Sequence, residues 1–85
     1  MFEGVLAQLS CVVYQGDLPL EIEWLKDGRP IARDMNIITR SLDEYSSILT
    51  ISQVQKSHGG NYTCLAKNKA AATQHTALLV VNGNN

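Results

Sequence analysis

The sequence is poor in the residues from which chemistry is usually built: two histidines, two cysteines, two prolines and a single tryptophan. Its longest uninterrupted apolar run, residues 77–81, falls far short of the roughly 18 residues of a membrane span. Seven Lys+Arg stand against eight Asp+Glu, a formal net charge of −1, so no basic stripe is available for nucleic acid. His58 lies in a predicted loop and His75 at the start of a predicted strand. With no Gly-x-Ser-x-Gly elbow and no glycine-rich phosphate loop, both read as exposed histidines rather than catalytic ones. The cysteines and histidines lack the spacing of a tetrahedral zinc site. Glu21 and Glu23 share one strand face, but two carboxylates fall short of the roughly six to eight oxygens that calcium takes. No enzyme, cofactor, metal or small-molecule substrate is expected. Met1-Phe2-Glu3-Gly4 has neither the charged nor the apolar region of a secretory leader, so a secreted parent implies an excised domain.

What is present fits one small domain over residues 1–82, with residues 83–85 as a linker stub. A chain of this size buries only about 60–65% of its unfolded surface. Such domains usually carry a staple, and Cys11 and Cys64 are the candidate. No stretch sustains a helical period. Short alternating or β-rich runs are broken by turn residues every ~8–12 positions, the all-β pattern. Strands are predicted at 7–14, 20–26, 29–31, 36–41, 46–53, 61–68 and 74–82, which implies a two-sheet sandwich. Asp27-Gly28 suits a tight hairpin because its second position tolerates positive φ. Pro30, without an N–H, confines the third strand to an edge. Placing Cys11 inward brings Leu9 and Val13 with it, because alternate residues share a face. Trp24 brings Ile22. Leu49 with Ile51, Tyr62 with Cys64 and Ala66, and Ala77 with Leu79 and Val81 complete a consistently apolar set.

Cys11, Trp24 and Tyr62-Thr63-Cys64 resemble the frame of an immunoglobulin domain. In that fold the cysteines bridge the sheets, the tryptophan packs on the bridge and the tyrosine closes a corner of the sandwich. Trp24-Leu25-Lys26-Asp27-Gly28, Leu49-Thr50-Ile51 and Gly60-Asn61-Tyr62-Thr63-Cys64 resemble the intermediate set, over nearly the whole chain. Two departures stand out. His58 occupies the place of that set's usual Asp, so its customary salt bridge to an Arg is missing. So little chain precedes Cys11 that residues 2–5 supply only the second half of a first strand.

Gly16-Asp17-Leu18-Pro19-Leu20-Glu21-Ile22-Glu23-Trp24, followed by Lys26-Asp27-Gly28-Arg29-Pro30, is similar to the Down syndrome cell adhesion molecule (Dscam) family. Residues 61–68 and Ala70-Ala71-Ala72 continue the likeness, above all to that family's seventh immunoglobulin domain and to the first, variable domain of the short chelicerate forms. The resemblance implies an extracellular module of a single-pass plasma-membrane receptor, touching the membrane only through the rest of that receptor. It further implies pairing with an identical copy across apposed cells.

The resemblance also implies a Cys11–Cys64 disulfide, with Trp24, Tyr62 and Leu49 as core landmarks. Closing so long a loop stabilises the fold by about 4 kcal/mol in the chain-entropy model, and such a bond persists in oxidising compartments. The alternative is a cytosolic muscle-type module holding two buried free thiols. Asn61-Tyr62-Thr63 is an N-glycosylation sequon. With Tyr62 inward, Asn61 and Thr63 point outward, and the pattern alone is equally compatible with a bare asparagine.

Outward apolar residues, where alternation predicts polar ones, mark candidate recognition surfaces. One set comprises Gln8, Ser10, Val12 and Tyr14 on one strand, Ile48 and Thr50 on another, and Asn36, Ile38 and Arg40 on a third. A rival set on the opposite sheet comprises Leu25, Leu65 and Leu78. Strand parity leaves the two nearly even; the Dscam resemblance selects the first, the A-B-E-D face, as an antiparallel self-binding surface. A heterophilic receptor-binding domain and a purely structural spacer module are the alternative functions.

Overall fold

The computed structural model describes residues 2–13 and 17–82; Met1, Tyr14 and the expected linker stub lie outside the described residues. Among the described residues seven strands form: β1 (Ala7–Val12), β2 (Glu21–Lys26), β3 (Arg29–Pro30), β4 (Ile37–Asp43), β5 (Ser46–Ile51), β6 (Gly60–Lys67) and β7 (Ala72–Leu79). Short 3-10 turns at Arg33–Met35 and Lys56–His58 link the sheets. The strands pair as two antiparallel sheets, β1-β5-β4 and β3-β2-β6-β7. The architecture is the expected all-β sandwich.

Strand ends differ from expectation where side chains make the turns. β4 continues to Asp43 because that carboxylate builds the reversal itself. Its Oδ1 accepts the Tyr45 N–H and the Ser46 hydroxyl, each at 2.8 Å. The β2–β3 hairpin turns on Asp27 (φ 52) and Gly28 (φ 81), a pair of positive φ values whose twist matches the flanking strands. Asp27 also locks this turn to β6. Its N–H donates to the Asn61 carbonyl at 2.7 Å, and its carboxylate accepts the Asn61 N–H at 2.9 Å. Gly60 is required there: a Cβ would lie 2.7 Å from Asp27 Oδ1, on a backbone at φ 145.

Leu49, Ile51, Val54 and Tyr62 are fully buried and form the centre of the core with Ala7, Cys11, Trp24, Cys64 and Leu79. Leu9, Val13, Ile22, Ile37 and Val81 pack against them from the margins. The inward parity sets therefore hold, with one correction. Ala77, expected in the core, is exposed. It faces Tyr62 in register but borders an open seam between β1 and β7, a cleft of about 380 Å³ lined also by Leu9, Cys11 and Cys64. Among the described residues no strand pairs with the outer edge of β1. The segment before it instead makes an isolated parallel bridge between Phe2 and Asn82, and exchanges backbone hydrogen bonds with Val54 through Gly4 and Val5.

Candidate functional site

The central pin is built from four strands. Cys11 of β1 and Cys64 of β6 form a disulfide across the sheets, with a Cα–Cα separation of 6.3 Å. Trp24 lies opposite Cys64 in the β2–β6 ladder and beside the bridge in the core cluster. Its indole N–H donates to the Ser47 hydroxyl at 3.0 Å, and that hydroxyl donates to the Arg40 carbonyl at 3.1 Å. Ser47 had no signal in the sequence beyond its inward parity. A serine there satisfies the one polar atom of the buried tryptophan, which an unpaired burial would penalise by about 1–3 kcal/mol.

The Tyr62 hydroxyl donates to the His58 carbonyl at 2.5 Å, closing the corner four residues upstream. Burial, with a smaller contribution from the charge of Asp27, pushes its ionisation up to about 12. His58 itself corrects the expectation of an exposed loop histidine, for it is only 2% exposed. The Gln55 N–H donates to Nδ1 at 2.8 Å, and Nε2 lies 2.6 Å from the Met35 carbonyl. An acceptor at Nδ1 requires the proton on Nε2, which then donates to Met35. One imidazole thus ties together the two 3-10 turns that the missing salt bridge would otherwise leave unlinked. The clue was positional: a polar residue directly before Gly59-Gly60, where the resembling family holds a charged one.

The outward side of β1-β5-β4 brings most of the first candidate set into one register. Ile48 lies between Ser10 and Arg40, and Thr50 between Gln8 and Ile38. Ile38 is 62% exposed and Val12 43% exposed, while Ile48 is half-buried by its flanking neighbours. Among the described residues Arg40 forms no ion pair. Asn36 departs from expectation: it is no strand residue but ends the first 3-10 turn in the left-handed conformation, at φ 58. The opposite sheet carries Leu78, which is 67% exposed, with Leu25 and Leu65 half-buried. Thr63 points the way Asn61 does, yet it is buried, its Oγ1 2.9 Å from Thr76 Oγ1. Among the described residues no cluster of His, Cys, Asp or Glu is placed to hold a metal ion.

A sandwich with an inter-sheet disulfide, a tryptophan on the bridge and a tyrosine corner defines a class of protein, and residues 1–68 match the immunoglobulin domain family. The chain belongs to that family, and its function is not enzymatic. Within it, the chain is similar to the cell adhesion molecule DSCAM of Rattus norvegicus, at 47% identity over 73 residues. That alignment covers 86% of this chain and 4% of the relative, so the chain spans a small fraction of the curated relatives' length. Among solved structures, the Ig7 domain of Dscam1, isoform 5, superposes with a TM-score of 0.92 at 35% identity, covering 96% of this chain and 84% of that one. The I-band fragment I67–I69 of titin superposes at 0.87 with 33% identity, covering 96% and 28%. The chain is a Dscam-like immunoglobulin domain.

Proposed function

We propose that this domain is an extracellular homophilic recognition module, in which one copy binds an identical copy through the outward face of β1-β5-β4. The observation that carries this is the register of that face. Val12, Ile48 and Ile38 form an apolar diagonal across it, with Ser10 and Arg40 on either side of Ile48 and Thr50 and Gln8 beside Ile38. Burying such side chains against a partner contributes on the order of 1.5–3 kcal/mol each when coverage is complete. In a two-fold contact every favourable pair and every clash occurs twice. A few substitutions then separate isoforms sharply, since specificity is a difference between affinities. Extracellular placement is supported by the disulfide and by the likeness to cell adhesion molecules.

Sedimentation equilibrium tests the assignment directly. Ile48→Asp sets two like charges close together in the contact, where desolvating unpaired charge is costly. The variant stays folded and becomes monomeric, whereas Leu65→Asp keeps the self-association of the parent. The reverse pattern moves the contact to the other sheet. The superposition on titin's I-band fragment favours one second reading, a purely structural spacer. A strictly monomeric parent at high concentration supports that instead.

A further inference from the structure

On the four-stranded sheet, Asn61 is exposed and lies directly opposite Leu78 of β7, the most exposed large apolar side chain among the described residues at 67%. Leu25 sits one step diagonally away, opposite Thr63. Directly opposed side chains have Cβ atoms about 5 Å apart and diagonal ones about 7–8 Å, so a bulky group on Asn61 reaches both leucines. Asn61-Tyr62-Thr63 is the acceptor sequence for an N-linked oligosaccharide. The fold hides half of that acceptor. The Thr63 side chain is buried with its hydroxyl against Thr76, and Asp27 holds both the N–H and the carbonyl of Asn61. A transferase that reads the asparagine and the hydroxyl together cannot engage this strand once it is docked between β2 and β7.

We propose that Asn61 carries an N-linked oligosaccharide, attached before β6 docks, whose first sugars cover Leu78 and Leu25. The donor is a lipid-pyrophosphate-linked oligosaccharide. The Asn61 amide nitrogen attacks its anomeric carbon, the new C–N bond replaces the bond to the pyrophosphate oxygen, the lipid pyrophosphate leaves with the electron pair, and the amide gives up one proton. The Asn61 side chain points to solvent, so the folded sandwich accommodates the product. The sugar places hydrophilic bulk over the four-stranded sheet and leaves the Val12, Ile38 and Ile48 side as the open apolar face. This proposal rests on the extracellular placement above and not on self-association.

Three measurements test it. The chain is expressed with a secretory leader in insect cells, recovered from medium and cells, and peptide-mapped after glycosidase treatment in heavy-oxygen water. Isotope-tagged conversion at position 61, absent from Asn61→Gln, is expected; a bare Asn61 overturns the proposal. Bacterially produced chain is then offered to microsomes, either folded and oxidised or reduced and unfolded. Only the unfolded form gains sugar; equal modification of the folded form overturns the order of events. Hydroxyl-radical labelling of Leu78 rises when the sugar is removed while that of Ile38 holds steady; an unchanged Leu78 overturns the covering role. Sedimentation of the same sugar-bearing and sugar-free samples reports self-association separately.

Discussion

Replacing His58 with alanine removes the acceptor of the Gln55 N–H and the donor to the Met35 carbonyl together. Loss of partners in so buried a place is expected to destabilise the domain by about 1–3 kcal/mol, read as a lower urea midpoint at unchanged slope. His58→Gln, which keeps a donor and an acceptor, recovers part of it. Titration reaches the same corner through Tyr62. Its hydroxyl ionises near 10.0 when unconstrained and at about 12 here, because burial disfavours the charged phenolate. The stability this contributes is complete below pH 10 and is lost as pH rises toward 12. Carboxylates set the acid limit. The Asn61 N–H and then Lys26 hold Asp27 below its usual value of 3.8, and the Tyr45 N–H and then the Ser46 hydroxyl do the same for Asp43. Their contribution is present above pH 4 and lost as pH falls below it. Thermal melts across pH 2–12 are therefore expected to show a plateau with both shoulders, and Tyr62→Phe to lose much of the alkaline one.

At the scale of strands, the outer edge of β1 is the feature that could imitate recognition. Unpaired backbone N–H and C=O groups on an edge invite a second chain. An edge contact and a face contact respond differently to change. Pairing a further upstream strand against β1 abolishes edge association and leaves the face contact intact. Ile48→Asp, on the central strand and pointing away from the sheet, does the opposite; sedimentation of the two variants decides. Much of this scale was legible in the sequence. A period of two assigned Cys11, Trp24, Leu49, Tyr62 and Leu79 to the interior because every second residue of a half-buried strand must be apolar. Three placements were not legible, for physical reasons. His58 is buried by a contact with Met35, 23 positions away, which no local pattern encodes. Ala77 has inward parity but faces a seam rather than a packed neighbour. Thr63 has outward parity yet is covered by the neighbouring strand through Thr76. Alternation reports which way a side chain points, not whether anything lies on top of it.

At the scale of the whole domain, the disulfide joins a long molecule, with principal extents of 48 × 22 × 22 Å, across its short dimension. Cys11→Ala combined with Cys64→Ala is expected to lower the unfolding free energy by about 4 kcal/mol, measurable in urea. The same bond makes the domain a tether of fixed slack. The bridge closes residues 11–64 into a covalent ring, and five of the seven residues named in the proposed self-binding face (Val12, Ile38, Arg40, Ile48 and Thr50) lie inside it. Force applied at the two ends first peels the Phe2–Asn82 bridge and the Val54 hydrogen bonds. It can then draw out only the tails beyond the cysteines, roughly 30 residues or 100 Å of contour. A reduced domain yields roughly 300 Å, so single-molecule pulling with and without reductant should give two well-separated step lengths. Under tension an oxidised domain lengthens and then stops, with most of the proposed self-binding face still enclosed by a ring that no pull on the chain ends can open.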